Sequence, residues 1–150
     1  GANINPFQMK YTSKRIEELY VDVSSEKILN NLAKKFNFEF DLIIDDASHN
    51  LRDILITLPI FFKKLKKKGF YVIEDIDQFK VFKELNPTND KLTPLKILRY
   101  IKRNKKFNSK YLNPEDVDYL KKNIKKYYFE RGKCIIKGLN VSDIVFLQKK

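Results

Sequence analysis

One cysteine, one methionine, one histidine, four glycines and no tryptophan occur among the 150 residues of this chain. The single Cys134 excludes an internal disulfide, which fits a reducing, cytoplasmic compartment. With His49 as the only imidazole, a metal centre built from several thiolates or histidines is excluded as well. The glycines stand at 1, 69, 132 and 138 and form no glycine-rich loop. No apolar run approaches the roughly 20 residues of a membrane-crossing helix, so no membrane partner is expected. Arginine is scarce too, with five among 31 basic residues. The formal charge of +12 invites an anionic partner. Lysine-rich faces are nevertheless often plain solvated surface, and phosphate or base recognition favours arginine, so nucleic acid is not the expected partner.

What is present is the material of one folded domain. Hydrophobic residues make up 43% of the chain and aromatics 13%, enough for a real core. "ELYVDVSS" (18–25) reads as a short strand and turn, with Ser25 capping a helix whose Leu29, Leu32, Ala33 and Phe36 recur at helical spacing. "FEFDLIID" (38–45) is a continuous apolar run, expected to be a strand buried on both faces. "NLRDILITLPIFFKKLKKKG" (50–69) reads as a helix kinked at Pro59, with Gly69 as its C-terminal cap. "FYVIED" (70–75) is the next buried strand. The polar stretch 77–93 is long enough for a lid. Thr93-Pro94 and Asn113-Pro114 each place a capping residue before a first-turn proline, predicting helices near 94–106 and 114–126. The end of the chain is strand-rich, with turn signals at Arg131-Gly132 and Gly138.

Strand–helix–strand alternation predicts an α/β fold, a Rossmann-like, doubly wound and mostly parallel sheet, with the terminal strands adding an antiparallel edge. In such sheets ligands bind at the carboxyl ends of the strands. Asp22, Asp45, Asp46, Glu74 and Asp75 all fall at those ends. Crowded carboxylates repel one another unless a cation or proton intervenes, and oxygen ligands suit a hard ion such as Mg²⁺ or Mn²⁺. His49 follows the first acid pair closely, on the first turn of the expected helix, and can point into the same space. The plainer alternative is that Asp46 or Ser48 caps this helix and that Glu74 and Asp75 merely lead into a polar loop. Two acidic strand ends together with the only histidine favour a site.

"FDLIIDDASHN", a helix, and then "LKKKGFYVIEDI" resemble the macrocin O-methyltransferase family, class I S-adenosylmethionine-dependent sugar O-methyltransferases that use a divalent metal. "GANINP" and "LYVDVSS" resemble, more weakly, the ends of that fold's second and third strands, so the likeness covers about residues 1–76. The resemblance implies S-adenosylmethionine as cofactor, Mg²⁺ or Mn²⁺ as metal, and a small hydroxylated, sugar-like acceptor as partner, and leaves room for a homo-oligomer. It makes Asp46, Glu74 and Asp75 metal ligands and His49 the general base. Asp22 and Val23 would wall the adenine, and Asn3 stands where the family has an acid gripping the ribose. Asp45 would lie beside the cofactor's methionine end or serve as an alternative metal ligand. Ala47 replaces a usual glycine. The glycine-rich loop and first strand of the family are absent, so residues 1–150 are expected to be a single partial, N-terminally truncated methyltransferase domain. Two other readings compete: a degenerate, non-enzymatic module binding RNA or an acidic partner, and a Mg²⁺-binding receiver-type phosphoacceptor domain. The second lacks a lysine at a strand end to contact a phosphoryl group.

Overall fold

A computed structural model describes residues 2–3 and 13–150; Gly1, residues 4–12 and the Asn3 side chain lie outside the described residues, and with them most of "GANINP". Strands β1 (Ala2–Asn3) and β2 (Leu19–Tyr20) pair in parallel as a small sheet of their own. Helix α1 (Glu26–Lys35) follows, its start fixed by Ser25, whose hydroxyl accepts from the Ile28 N–H at 3.4 Å. Glu26 in its first turn and Lys34 and Lys35 in its last suit the helix dipole. Leu29, Leu32 and Ala33 are buried, and Leu29 and Leu32 form with Val21 and Ile56 a small core under the two-stranded sheet.

The main sheet has four strands: β3 (Phe40–Asp45), β4 (Leu65–Ile73), β5 (Ile124–Glu130) and, after the short hairpin of β6 (Ile135–Ile136) and β7 (Leu139–Asn140), β8 (Ile144–Lys149). Their order is β3-β4-β8-β5. β3 and β4 run parallel, while β8 lies antiparallel between β4 and β5. The antiparallel element expected at the end of the chain is therefore present, with β5 rather than the last strand at the edge.

A parallel pair needs a crossover, and α2 (Leu51–Phe62) supplies it between β3 and β4. α2 is apolar almost all round; Leu51, Leu55, Leu58 and Phe62 pack on Tyr71 and Ile73 of β4. Helices α3 (Pro94–Lys102) and α4 (Pro114–Asn123) complete this core with Leu98 and Leu120. Both begin where the Thr-Pro and Asn-Pro pairs predict, each capped by the side chain before the proline. No helix among the described residues is long and apolar enough to cross a membrane.

Two expectations are corrected. The helix after residue 50 does not reach Gly69 but ends at Phe62, because Leu65 already pairs with Phe40 in the sheet. The four residues Lys66–Gly69 then bulge out of β4 opposite the single Asp41 before pairing resumes at Phe70. β3 is not covered on both faces: Leu42 is 52% exposed and Ile44 55%, since β3 is the outer strand of the four and the β1–β2 sheet is separate. The polar stretch 77–93 carries two single 3₁₀ turns, Gln78–Lys80 and Lys83–Leu85, with Phe79 and Val81 buried.

Candidate functional site

The parallel register sets Asp45 opposite Ile73, so the residues that follow on each strand, Asp46 on one and Glu74-Asp75 on the other, leave the sheet at the same rim. Here the structure gathers Asp46, His49 and Asp75: one donor atom from each lies within 4.8 Å of the others. His49 Nε2 stands 3.5 Å from Asp46 Oδ1 and 3.8 Å from Asp75 Oδ2. Glu74 is half-buried at the same rim, its N–H held by the Asp45 carbonyl at 3.0 Å, but it is not in this cluster.

The local chain explains why these side chains converge. α2 is capped by Asn50, whose side-chain oxygen accepts from the Arg52 N–H at 2.9 Å. Neither Asp46 nor Ser48 is the cap, which removes the plainer explanation of Asp46. His49 consequently precedes the helix instead of lying on its first turn, and its φ of 53° is left-handed. Asp75 also has a left-handed φ, 52°. Two of the three clustered residues thus hold a sparsely populated backbone conformation, which is stored where the surroundings enforce it and which accompanies functional sites. Bracing is visible around the loop. Ser48 Oγ donates to Asp53 Oδ2 at 2.7 Å, Arg52 reaches Asp53 Oδ1 at 2.9 Å, and Arg52 also reaches the Ser24 carbonyl at 3.0 Å, tying the loop to the turn before α1.

Electrostatics at the rim favour the arrival of positive charge. Partial burial pushes the Asp75 carboxyl up, against the pull of His49 and of the Gln78 amide, which donates to Asp75 Oδ2 at 2.6 Å. Desolvation likewise drives Asp45 up to about 6, although the Tyr71 hydroxyl donates to its Oδ2 at 2.8 Å. Tyr71 is fully buried, and burial beside Asp45 holds its phenol well above the ordinary range. Asp77, buried one turn further on, pairs through Oδ2 with Lys80 while its Oδ1 has no partner among the described residues.

A cavity of about 390 Å³ lies between the exposed face of β3 and the β2–α1 layer. Val21, Val23, Leu42 and Ile44 line it, and Asp45 and Asp46 stand on its wall. Val23 and Asp45 of the expected cofactor residues therefore share one groove. Asp22 turns instead into a local loop, where the Ser24 N–H and hydroxyl donate to its Oδ1 at 2.9 and 2.7 Å and lower its pKa. Asn3 pairs in register with Tyr20 at the far side. The sequence reading missed Tyr71 and Gln78 as partners of the rim acids. Gln78 was findable, since it lies three residues after Asp75, a spacing that lets one side chain reach another across a turn. Tyr71 was not, because its contact with Asp45 depends on strand register.

Comparison with known proteins places the fold. No protein-family model matches the sequence, and no curated protein matches it either. Solved structures do: MycE methyltransferase from the mycinamycin biosynthetic pathway, in complex with Mg and SAH, superposes with a TM-score of 0.64 at 20% identity. The same enzyme with Mg, SAH and mycinamycin VI gives 0.64 at 21%. The match covers 99% of this chain and about 36% of that one, so the chain spans little more than a third of the length of the enzyme it resembles. The α/β, Rossmann-like architecture expected from the strand and helix order is thus shared with that structure over nearly the whole of this chain.

Proposed function

We propose that this chain carries the metal- and base-bearing part of an S-adenosylmethionine-dependent O-methyltransferase acting on a small, sugar-like acceptor with neighbouring hydroxyls. The observation behind the reading is the meeting of Asp46, His49 and Asp75 at two parallel strand ends, on a fold shared with a methyltransferase seen with Mg and SAH. The Asp46 and Asp75 carboxylates, with Glu74 beside them, fit a hard divalent cation, and burial works against the Asp75 negative charge. Asp46 and Asp75 hold the ion, with Glu74 as the adjoining acid. A bound Mg²⁺ or Mn²⁺ supplies Lewis acidity that makes a coordinated hydroxyl easier to deprotonate, and S-adenosylmethionine supplies the electrophilic methyl group.

The remaining work falls to the chain's own residues. His49 accepts the proton of the acceptor hydroxyl at its imidazole, a group suited to proton transfer near neutral pH. Asp46 and Asp75 flank Nε2 and orient the ring for that transfer. Val23 and Asp45 line the groove that would take the cofactor. The braced loop 46–53 fixes the distance between base and carboxylates.

The same reading makes residues 1–150 one part of a methyltransferase domain, without methyl transfer of their own. Its support is the outer edge of β3, which has no hydrogen-bonded neighbour among the described residues, and the exposed Leu42 and Ile44 there. The test has two arms. Calorimetric titration of this chain with Mg²⁺ or Mn²⁺ should show binding that Asp46→Ala with Asp75→Ala abolishes. Release of S-adenosylhomocysteine by the intact enzyme, with a vicinal-diol sugar present, should require the metal. Metal binding unchanged in the double variant, or turnover indifferent to chelator, would overturn the reading.

A further inference from the structure

The end of the sheet opposite the acidic rim has the reverse charge. There the Lys66–Gly69 bulge projects from β4, held tight because Gly69 sits where a Cβ would meet the carbonyls of Asp41 and Lys66 at 3.0 Å. Beside it, Gln148 of β8 pairs with Phe70 on one side and Lys126 of β5 on the other, and its amide donates to the Lys68 carbonyl at 3.4 Å. That ladder sets Lys66, Lys67, Lys68, Lys125, Lys126 and Lys150 along one sheet end, all exposed. Lys149 stiffens the face from beneath, its buried ammonium donating to the Lys63 and Leu65 carbonyls at 3.2 and 2.6 Å. Of the six exposed lysines only Lys66 is neutralised, by Asp41 at 2.9 Å. The ammonium groups of Lys67, Lys68, Lys125, Lys126 and Lys150 have no partner among the described residues. Glu39 is a further acid near this end, and Asp116 pairs with Lys63 there at 2.7 Å.

At the same end Phe38, two residues before β3, is 54% exposed. It is not loose: its ring meets that of Phe36 at a tilt and that of Phe40 edge-on, with centroids 5.5 and 5.0 Å away. An exposed aromatic ring at the same sheet end as unpaired lysines combines the two devices by which a protein lies on a bilayer, apolar insertion at the headgroup level and attraction to anionic lipid.

We infer that this face docks on an anionic lipid surface, with Phe38 entering the interface and Lys67, Lys68, Lys125, Lys126 and Lys150 facing the headgroups. The expectation of no membrane partner came from the absence of a spanning run, which does not bear on surface binding. Nucleic acid fits the face less well. None of the five arginines lies on these segments, and compact lysine charges on the ends of adjacent strands suit a diffuse surface potential better than bidentate recognition of phosphates or bases. The orientation follows: the acidic rim with His49 sits at the far end of the strands, turned from the bilayer toward solvent.

The experiment is sedimentation of the chain with vesicles of phosphatidylcholine, with and without phosphatidylglycerol. Binding is expected only with the anionic lipid and should weaken with added salt. Lys67→Gln, Lys68→Gln and Lys126→Gln together should weaken partition about a hundredfold, at about fivefold per lysine. Phe38→Ala should weaken it about tenfold without altering the lipid preference. Lys83→Gln, Lys91→Gln and Lys96→Gln, the same loss of charge in the segment between β4 and the start of α3, should leave it unchanged. Equal losses in the two lysine triples would overturn the assignment to this face. So would retention of a single-stranded RNA, followed by fluorescence anisotropy, in the absence of vesicle binding.

Discussion

β3 and β4 are neighbours, parallel, and each ends in two acids, yet the two ends are built differently. β4 is an interior strand, and Tyr71 and Ile73 are fully buried beneath α2. β3 is an outer strand, half open along Leu42 and Ile44. In both, the second acid of the pair, Asp46 or Asp75, joins His49, while the first stays behind. Asp45 is held from the interior strand by the Tyr71 hydroxyl, and the Glu74 N–H is held from the edge strand by the Asp45 carbonyl. The edge strand thus takes its precision from its buried neighbour, and the site depends on that one register.

The largest expected effect is on turnover. His49→Ala in the intact enzyme should lower kcat about 10²-fold or more while KM changes little, as loss of a general base does. Normal turnover in steady-state assays would reduce His49 to a structural contact between the two strand ends. Next is the contrast in stability between the strands. Ile73→Ala should cost about 2–5 kcal/mol, the range for a cavity in a packed core, whereas Ile44→Ala should cost about 0.5 kcal/mol or less. Denaturant melts of both variants decide it; equal losses would mean that β3 is covered in solution.

The third effect is pH dependence. In the folded chain Asp45 holds its proton up to about pH 6, against 3.8 as its ordinary value. Between those values the folded state binds more protons than the unfolded, so stability falls as pH rises from about 4 to 6, by on the order of 3 kcal/mol. Asp45→Asn should flatten that slope and leave the chain more stable at neutral pH. The smallest effect concerns the bond that links the two strand ends. Tyr71→Phe should cost about 1–2 kcal/mol by removing a buried donor, and should move the Asp45 window to higher pH.

Much of this was legible in the sequence. Capping chemistry located the starts of α1, α3 and α4, because Ser25, Thr93-Pro94 and Asn113-Pro114 act locally. The acidic rim was legible because both apolar runs end in two acids and strand direction puts those ends together. The failures are tertiary. Helical spacing continued through Leu65, but pairing with Phe40 captured that residue for the sheet, and Gly69 serves a bulge rather than a helix end. The exposure of Ile44 depends on which strands flank β3, a matter of sheet order that an apolar run does not encode. At the site, the left-handed backbone at His49 and Asp75 is allowed by residue identity without being required by it.

The central claim is that Asp46 and Asp75 form a divalent-cation site across these two strand ends, with His49 beside it as the base. Isothermal titration of Mn²⁺ into the 150-residue chain tests it most directly, with Asp46→Ala, Asp75→Ala and Glu74→Ala made singly. The account predicts one ion per chain, with binding lost in the Asp46 and Asp75 variants and only weakened in the Glu74 variant. Binding that survives both Asp46→Ala and Asp75→Ala, or no binding by the unaltered chain, would contradict it.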